Sequence, residues 1–193
     1  MQATIVNIRK NLKKKLDPAR YEHTLGVAYT AMCLAMKYGA DLNKAELAGL
    51  LHDCAKNIDD KEKIQKCEKY HITITEYERS NPSLLHAKLG GFLAVDKYGV
   101  ADMEIINAII CHTTGKPAMN LLEKIVFVAD YIEPRRNKAP NLSYIRKVAF
   151  EDLDLAVCEI MKSTISYVKE RNFTMDPLTE EAYEYYKNLI ERK

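Results

Sequence analysis

The chain has 193 residues, of which 47% are hydrophobic and 29% are charged, close to the averages of soluble globular proteins. With only seven glycines and six prolines, the composition disfavours a disordered or fibrous chain. The length excludes a miniprotein that depends on disulfides for its stability. The five cysteines include no C-x-x-C pair, which disfavours a thiolate metal site. A net charge of +2 is far below the basic excess of a dedicated nucleic-acid binder.

No segment has the features of a membrane or secretory element. The longest apolar runs, such as Ile125 to Ala129, are too short to span a bilayer, and the N-terminal residues lack the apolar core of a signal peptide. We therefore expect a cytoplasmic protein without membrane or nucleic-acid partners. The length predicts one domain, and a homo-oligomer stays open.

Hydrophobic spacing and capping residues predict helices along the whole chain. Ile5, Ile8, Leu12 and Leu16 form an amphipathic stripe, and Asp17 before Pro18 starts a second helix that ends at Gly39. Further helices are predicted after Asn43, Asp59, Asn81, Asp102 and Asn120, from about Phe150 to Arg171, and after Asp176. The only strand candidate is the short segment Ile72 to Thr75. The predicted fold class is therefore all-α.

His52 and Asp53 occur together inside the apolar run LAGLLHDCAK. A buried aspartate is costly unless it is paired or binds a cation, and helical neighbours diverge by about 100°, so the two side chains should not satisfy each other. They can approach one metal from two sides. For an isolated pair, a core histidine beside a surface aspartate is the simpler interpretation.

The order of the remaining residues favours the metal. His23, His52 with Asp53, His86, His112 and Asp130 each lie on a separate predicted helix. Helical bundles build metal sites from inward-facing histidines and carboxylates on neighbouring helices.

This order, H…HD…H…H…D, resembles the HD superfamily of metal-dependent phosphohydrolases, from Arg20 to Arg136. The segments RYEHTLGVA, LLHDCAK, HAKLG, HTTG and FVADYIEPRR are similar to those of the YqeK family, the symmetrical bis(5′-nucleosyl)-tetraphosphatases of bacteria. The resemblance implies one HD-type helical bundle over residues 1–193 with a metal site between helices. Its motif core spans about 18–136, and helices in 150–193 complete the bundle.

By this resemblance His23, His52, Asp53 and Asp130 are the primary ligands of a divalent transition metal. Iron is the metal that the family implies, with manganese or another divalent ion open. His86 and His112 match positions that either hold a second metal or contact phosphate, and the sequence does not choose between these roles. The positive charge of Lys56 favours a single metal.

The resemblance also implies the residues that act on the substrate. The expected catalytic residues are Asp53, Lys56, His86 and His112. The expected substrate contacts are Arg20, His23, Lys56, Asn57, His86, His112, Thr113, Asp130, Arg136, Phe173 and Asp176. Arg135 is equally compatible with a solvated loop.

The implied reaction is symmetrical cleavage of diadenosine tetraphosphate, or a related dinucleoside polyphosphate, to two ADP by metal-activated water. The partner is accordingly a dinucleoside polyphosphate or an ADP-like nucleotide. The alternatives are another HD phosphohydrolase, such as a nucleotidase or an alarmone hydrolase, and a non-catalytic nucleotide sensor. Alarmone hydrolases carry HD-x-x-E-D where this chain has Lys56 and Asn57, which disfavours that option.

Overall fold

The computed structural model describes residues 3–171 and 174–192, and the regular structure in this part of the chain is entirely helical. The all-α prediction is therefore confirmed. The α-helices are α1 (Ile5–Lys15), α2 (Pro18–Tyr38), α3 (Leu42–Leu51), α4 (Asp60–Lys69), α5 (Glu76–Ser80), α6 (Leu85–Tyr98), α7 (Met103–Cys111), α8 (Leu121–Ile132), α9 (Leu142–Val148), α10 (Leu153–Glu170) and α11 (Pro177–Glu191), with a 3₁₀ turn at Pro82–Leu84.

Most helices begin at the predicted polar residue. The Asp17 side chain accepts from the amide of Arg20 at the start of α2, and Asn120 forms a capping box with Glu123 at the start of α8. At its other end α2 stops at Gly39, which has a left-handed φ of 74° that glycine adopts without strain. These local interactions fix where the helices that carry the site begin and end.

Three local predictions need correction. α3 begins before Asn43 because the Asp41 side chain already accepts from two backbone amides. The helix predicted directly after Asn81 begins only at Leu85, because a 3₁₀ turn over Pro82–Leu84 precedes α6. The segment 72–75 is not a strand, in agreement with the all-α prediction, and Thr75 caps the short helix α5. The helix predicted over 150–171 is the shorter α10, because Asp152 caps its first turn and α9 ends before it.

The helices pack around α2, α7 and α8. α2 packs against α3 and α8, and α7 contacts α3, α6 and α8. α10 covers α8, and α11 packs on α10. Within residues 3–171 and 174–192, none of the helices combines the length and apolar character that crossing a bilayer requires.

Candidate metal centre

Two histidines of the predicted set lie just beyond the last residue of a helix. His52 caps α3 and its Nδ1 donates to the Gly49 carbonyl at 2.7 Å, and His112 caps α7 and donates in the same way to Ile109 at 2.7 Å. The carbonyls of a last helical turn have no partner within the helix, so they are free to accept. Because a carbonyl only accepts, Nδ1 carries a proton in both rings, so Nε2 is the atom that can offer a lone pair to a metal.

The structure corrects the expectation that His52 and Asp53 lie inside a helix. α3 ends before His52, and the chain continues in turns in which the Cys54 amide donates to Leu51 and the Lys56 amide to Asp53. These i→i+3 bonds are those of 3₁₀ structure, in which neighbouring side chains also leave the backbone in different directions. The Nε2 of His52 lies 3.4 Å from Oδ2 of Asp53.

The Asp53 carboxylate stands at the middle of the cluster and is only 2% exposed. Its Oδ2 lies 3.9 Å from Nε2 of His23 and accepts a hydrogen bond from Arg20 at 2.7 Å. Its Oδ1 lies 3.2 Å from Nε2 of His86 and 3.7 Å from Nε2 of His112. The two oxygens therefore face two different groups of imidazoles.

Asp130, on α8, completes the predicted ligand set. Its Oδ1 lies 3.0 Å from Nε2 of His23 and 3.9 Å from Nε2 of His52, and it accepts from Arg136 at 2.8 Å. Two sets of three donor atoms lie within 4.8 Å of one another, those of His23, His52 and Asp130, and those of His52, Asp53 and His112. The four residues expected as primary ligands thus converge in space.

Three atoms of this cluster are buried and lack a hydrogen bond to any described residue. They are Nε2 of His23, Nε2 of His52 and Oδ1 of Asp53. An unsatisfied buried polar group costs about 1–3 kcal/mol, and more when it is charged. A divalent cation satisfies such inward-facing nitrogen lone pairs and carboxylate oxygens together, so the donor set fits a metal.

The charges of the cluster stabilise one another. Burial raises the pKa of Asp53, but the neighbouring imidazoles, His52 first, hold that pKa well below its ordinary value. Burial also raises the pKa of Asp130, and the adjacent His23 ring and the charge of Arg136 outweigh it. Burial lowers the pKa of His23, and the neighbouring carboxylates, Asp130 first, raise that pKa above its ordinary value. Both carboxylates are therefore ionised at neutral pH.

His86 and His112 form the other side of the cluster. Their Nε2 atoms are 3.1 Å apart, and Oγ1 of Thr113 lies 3.3 Å and 3.1 Å from them. The Nζ of Lys56 lies 3.4 Å from Nε2 of His86. Burial lowers the pKa of His86 to about 4 and also lowers the pKa of Lys56. At neutral pH the His86 ring is uncharged, and one of its nitrogens keeps a lone pair.

A cavity of about 570 Å³ opens beside the cluster. His23 lies on its wall, and the cations that line it are Arg20, Arg135, Arg136 and Lys138. The Arg135 side chain is 66% exposed and pairs with Glu22 at 2.9 Å, whereas Arg136 is bonded to Asp130. This wall presents positive charge next to the predicted ligands.

Other predicted substrate contacts line a second cavity or lie at the surface. Thr113 and Asp176 line a second, smaller cavity of about 180 Å³, and Asp176 also caps α11. Asn57 is exposed and donates to the Asp17 carboxylate at 2.9 Å. Phe173 lies outside the residues that the structure describes.

One carboxylate of the site, that of Glu133, is not predicted from the sequence. Glu133 is 1% exposed, and its Oε1 lies 3.1 Å from Nδ1 of His23. In the sequence it stands beside Pro134, where it reads only as the last residue of a helix. The available signal is its spacing, since it follows Asp130 by three residues.

The chain is similar in sequence to a known family and to named proteins. The family model described as "HD domain" matches residues 20–135. Proteins named "Bis(5'-nucleosyl)-tetraphosphatase, symmetrical" from Bacillus subtilis and Halalkalibacterium halodurans are 40% and 38% identical to the chain. The first match covers 87% of this chain and 89% of the relative, and the second covers 94% and 95%.

A solved structure from Clostridium acetobutylicum has the same fold. It is described as a "predicted HD superfamily hydrolase involved in NAD metabolism", and it superposes with a TM-score of 0.94 at 38% identity. The alignment covers 100% of both chains. The likeness therefore extends over the whole chain.

Proposed function

This chain belongs to the HD-domain family, within the symmetrical bis(5′-nucleosyl)-tetraphosphatases, and from that premise we propose that it hydrolyses dinucleoside tetraphosphates at the middle of the phosphate chain. With diadenosine tetraphosphate the products are two molecules of ADP. The observation that carries the proposal is a set of buried nitrogen and oxygen atoms that lack hydrogen bonds and could ligate a metal, next to a cavity with a cationic wall. A polyphosphate chain offers the matching anionic oxygens.

We propose His23, His52, Asp53 and Asp130 as the ligands of a divalent transition metal, with iron as the native ion. Mixed imidazole and carboxylate sets are those of non-haem iron sites, and manganese is the nearest alternative. A divalent cation held there neutralises charge on phosphate oxygens and acidifies water.

Three cations near the ligands bind and orient the phosphates in this proposal. Arg20 and Arg136 each bond a ligand carboxylate, Asp53 and Asp130 respectively, so their guanidinium groups are held at the cavity. Lys56 stands beside His86 with its ammonium largely buried, where it attracts a phosphate oxygen strongly.

His86, His112 and Thr113 face phosphoryl oxygens from the other side of Asp53. With its depressed pKa, His86 stays neutral at neutral pH. Because its Nδ1–H donates to the Ser83 carbonyl, its Nε2 accepts a hydrogen bond and orients the Lys56 ammonium or a water molecule beside the phosphates. The Lys56 charge 3.4 Å from His86 favours one metal ion over two, because a second dication there is repelled. Residues of the cluster line both cavities, so a substrate with a nucleoside at each end has room on two sides.

Product analysis tests the proposal. We expect ADP as the only nucleotide product when metal-loaded protein is incubated with diadenosine tetraphosphate and the mixture is separated by chromatography. Asp53→Asn should lower kcat about 10²-fold or more, whereas Asp96→Asn, at an exposed position on α6, should not change it. ATP together with AMP, phosphate released from AMP, or binding without turnover would each contradict the proposal.

A further inference from the structure

His23 differs from the other three histidines in how its Nδ1 is satisfied. His52, His112 and His86 each donate to a carbonyl three residues earlier, at or near a helix end. His23 lies inside α2, where the preceding carbonyls already accept the bonds of the helix. Its Nδ1 therefore needs an acceptor from another element.

Glu133 supplies that acceptor from the end of α8. Its Oε1 lies 3.1 Å from Nδ1 of His23, and its Oε2 accepts from the Arg135 amide at 2.8 Å. Its own carbonyl accepts from the Arg146 side chain at 2.8 Å. The carboxylate is thus buried and held from both oxygens, which fixes its direction.

Gly26 provides the space that this carboxylate occupies. Gly26 lies on α2 one turn after His23, and a Cβ at that position would stand 2.5 Å from Oε2 and 3.3 Å from Cδ of Glu133. Such contacts are too close for carbon, so any larger residue displaces the carboxylate. The Glu133 carboxylate therefore explains why position 26 is a glycine.

We propose that Glu133 is a positioning residue for the metal centre. By accepting from Nδ1 it keeps the proton of His23 on that atom and leaves the lone pair of Nε2 directed at Asp53 and Asp130. Through the Arg135 amide, the same carboxylate ties the metal ligand to the basic turn that lines the large cavity. This inference rests on the proposed role of His23 as a ligand.

The test is the affinity of chelator-treated full-length protein for Mn²⁺, followed by the electron paramagnetic resonance of the free ion. Glu133→Gln should weaken Mn²⁺ binding about 10- to 100-fold, because one amide oxygen cannot accept from both donors. Gly26→Ala should weaken it to a similar extent. In a Glu133→Ala background, Gly26→Ala should have little further effect, since the carboxylate it displaces is already gone.

Glu123→Gln is the matched control. Glu123 is also 1% exposed and lies on α8, but it pairs with Lys116 away from the cluster. We expect this variant to lose stability in urea and to retain Mn²⁺ affinity. Equal losses of affinity in Glu123→Gln and Glu133→Gln, or unchanged affinity in Glu133→Gln, would overturn the positioning role alone.

Two outcomes separate this inference from the proposed function. If the wild type binds no Mn²⁺, the assignment of His23 as a ligand and the role of Glu133 are both overturned. If the Glu133 variants bind Mn²⁺ weakly as predicted but the wild type does not cleave diadenosine tetraphosphate, the positioning role stands and the proposed function is overturned.

Discussion

Burial of the His86 imidazole makes the folded protein less stable at acidic pH. In the folded protein its pKa is lowered to about 4 by burial, against an ordinary value of 6.5. Between these values the unfolded chain binds more protons than the folded one, so the free energy of unfolding decreases as the pH falls. The pKa of His23 is raised, so its contribution is fully present below pH 6.5 and does not change in this window.

We therefore predict that metal-free wild type loses about 2 kcal/mol of unfolding free energy between pH 6.5 and pH 5 through His86. His86→Gln should remove this part of the slope, because the amide does not titrate. Urea unfolding of chelator-treated protein at the two pH values measures it.

His71→Asn is the control for this experiment. His71 is exposed and has a positive φ of 56°, a conformation that asparagine tolerates. This variant should keep the wild-type slope. A slope that is the same in His86→Gln as in the wild type would contradict the pKa of His86.

At the scale of single residues, the sequence predicts well which side chains meet and predicts their surroundings poorly, while the role of these residues as ligands stays a prediction. His23, His52, Asp53 and Asp130 are identifiable because residue type and order carry the signal. Glu133 is not, because its role depends on a contact across 110 positions of the chain. Spacing along one helix contains no information about such a distance.

The pairing of α2 with α3 shows how helix packing positions His52, a proposed ligand. A Cβ at Gly49 would lie 2.7 Å from the Cα of Ala28 on α2, so the two backbones approach too closely for a side chain. Backbone atoms cannot move aside as a side-chain end can. Gly49 also provides the carbonyl that holds His52, so the same position sets both the helix packing and the orientation of the His52 ring.

We predict that Gly49→Ala lowers the free energy of unfolding by about 1–3 kcal/mol and also weakens Mn²⁺ binding. The added methyl group must push α3 away from α2 and shift His52 with it. Urea unfolding and Mn²⁺ titration measure the two effects.

Gly39→Ala is the control, because it strains the backbone of a glycine without moving α3 or His52. Gly39 has φ 74° and no atom within 4 Å of a built Cβ, so alanine costs about 1–2 kcal/mol through backbone conformation alone. This variant should bind Mn²⁺ as tightly as the wild type. Equal affinity in Gly49→Ala and the wild type would contradict the packing argument.

At the scale of elements, the long helices follow from the sequence because caps and apolar stripes agree over several turns. α5 and α9 do not, since five and seven residues show too little periodicity. α9 also lacks a side-chain cap, and Asn141 before it has a positive φ of 56°. The end of α3 before His52 could not be predicted from the sequence either, because the apolar pattern continues past it.

Across the whole molecule, the cluster joins segments that lie far apart in the sequence. α2, α3, α6, α7 and α8 each contribute or immediately precede one of its residues, and their packing brings these residues together. α10 covers the outer side of α8, the helix that carries Asp130. The fold therefore supports the site through contacts between helices, while the local turns aim the side chains.

In the proposed function, this cluster binds the metal on which phosphate cleavage depends. The direct measurement is ADP formation from diadenosine tetraphosphate as a function of Fe²⁺ bound per chain, in chelator-treated protein reloaded without oxygen. We predict no turnover without metal, a rate that rises in proportion to occupancy, and neither binding nor turnover in His52→Ala. Full turnover by metal-free protein, or by His52→Ala, would contradict the claim.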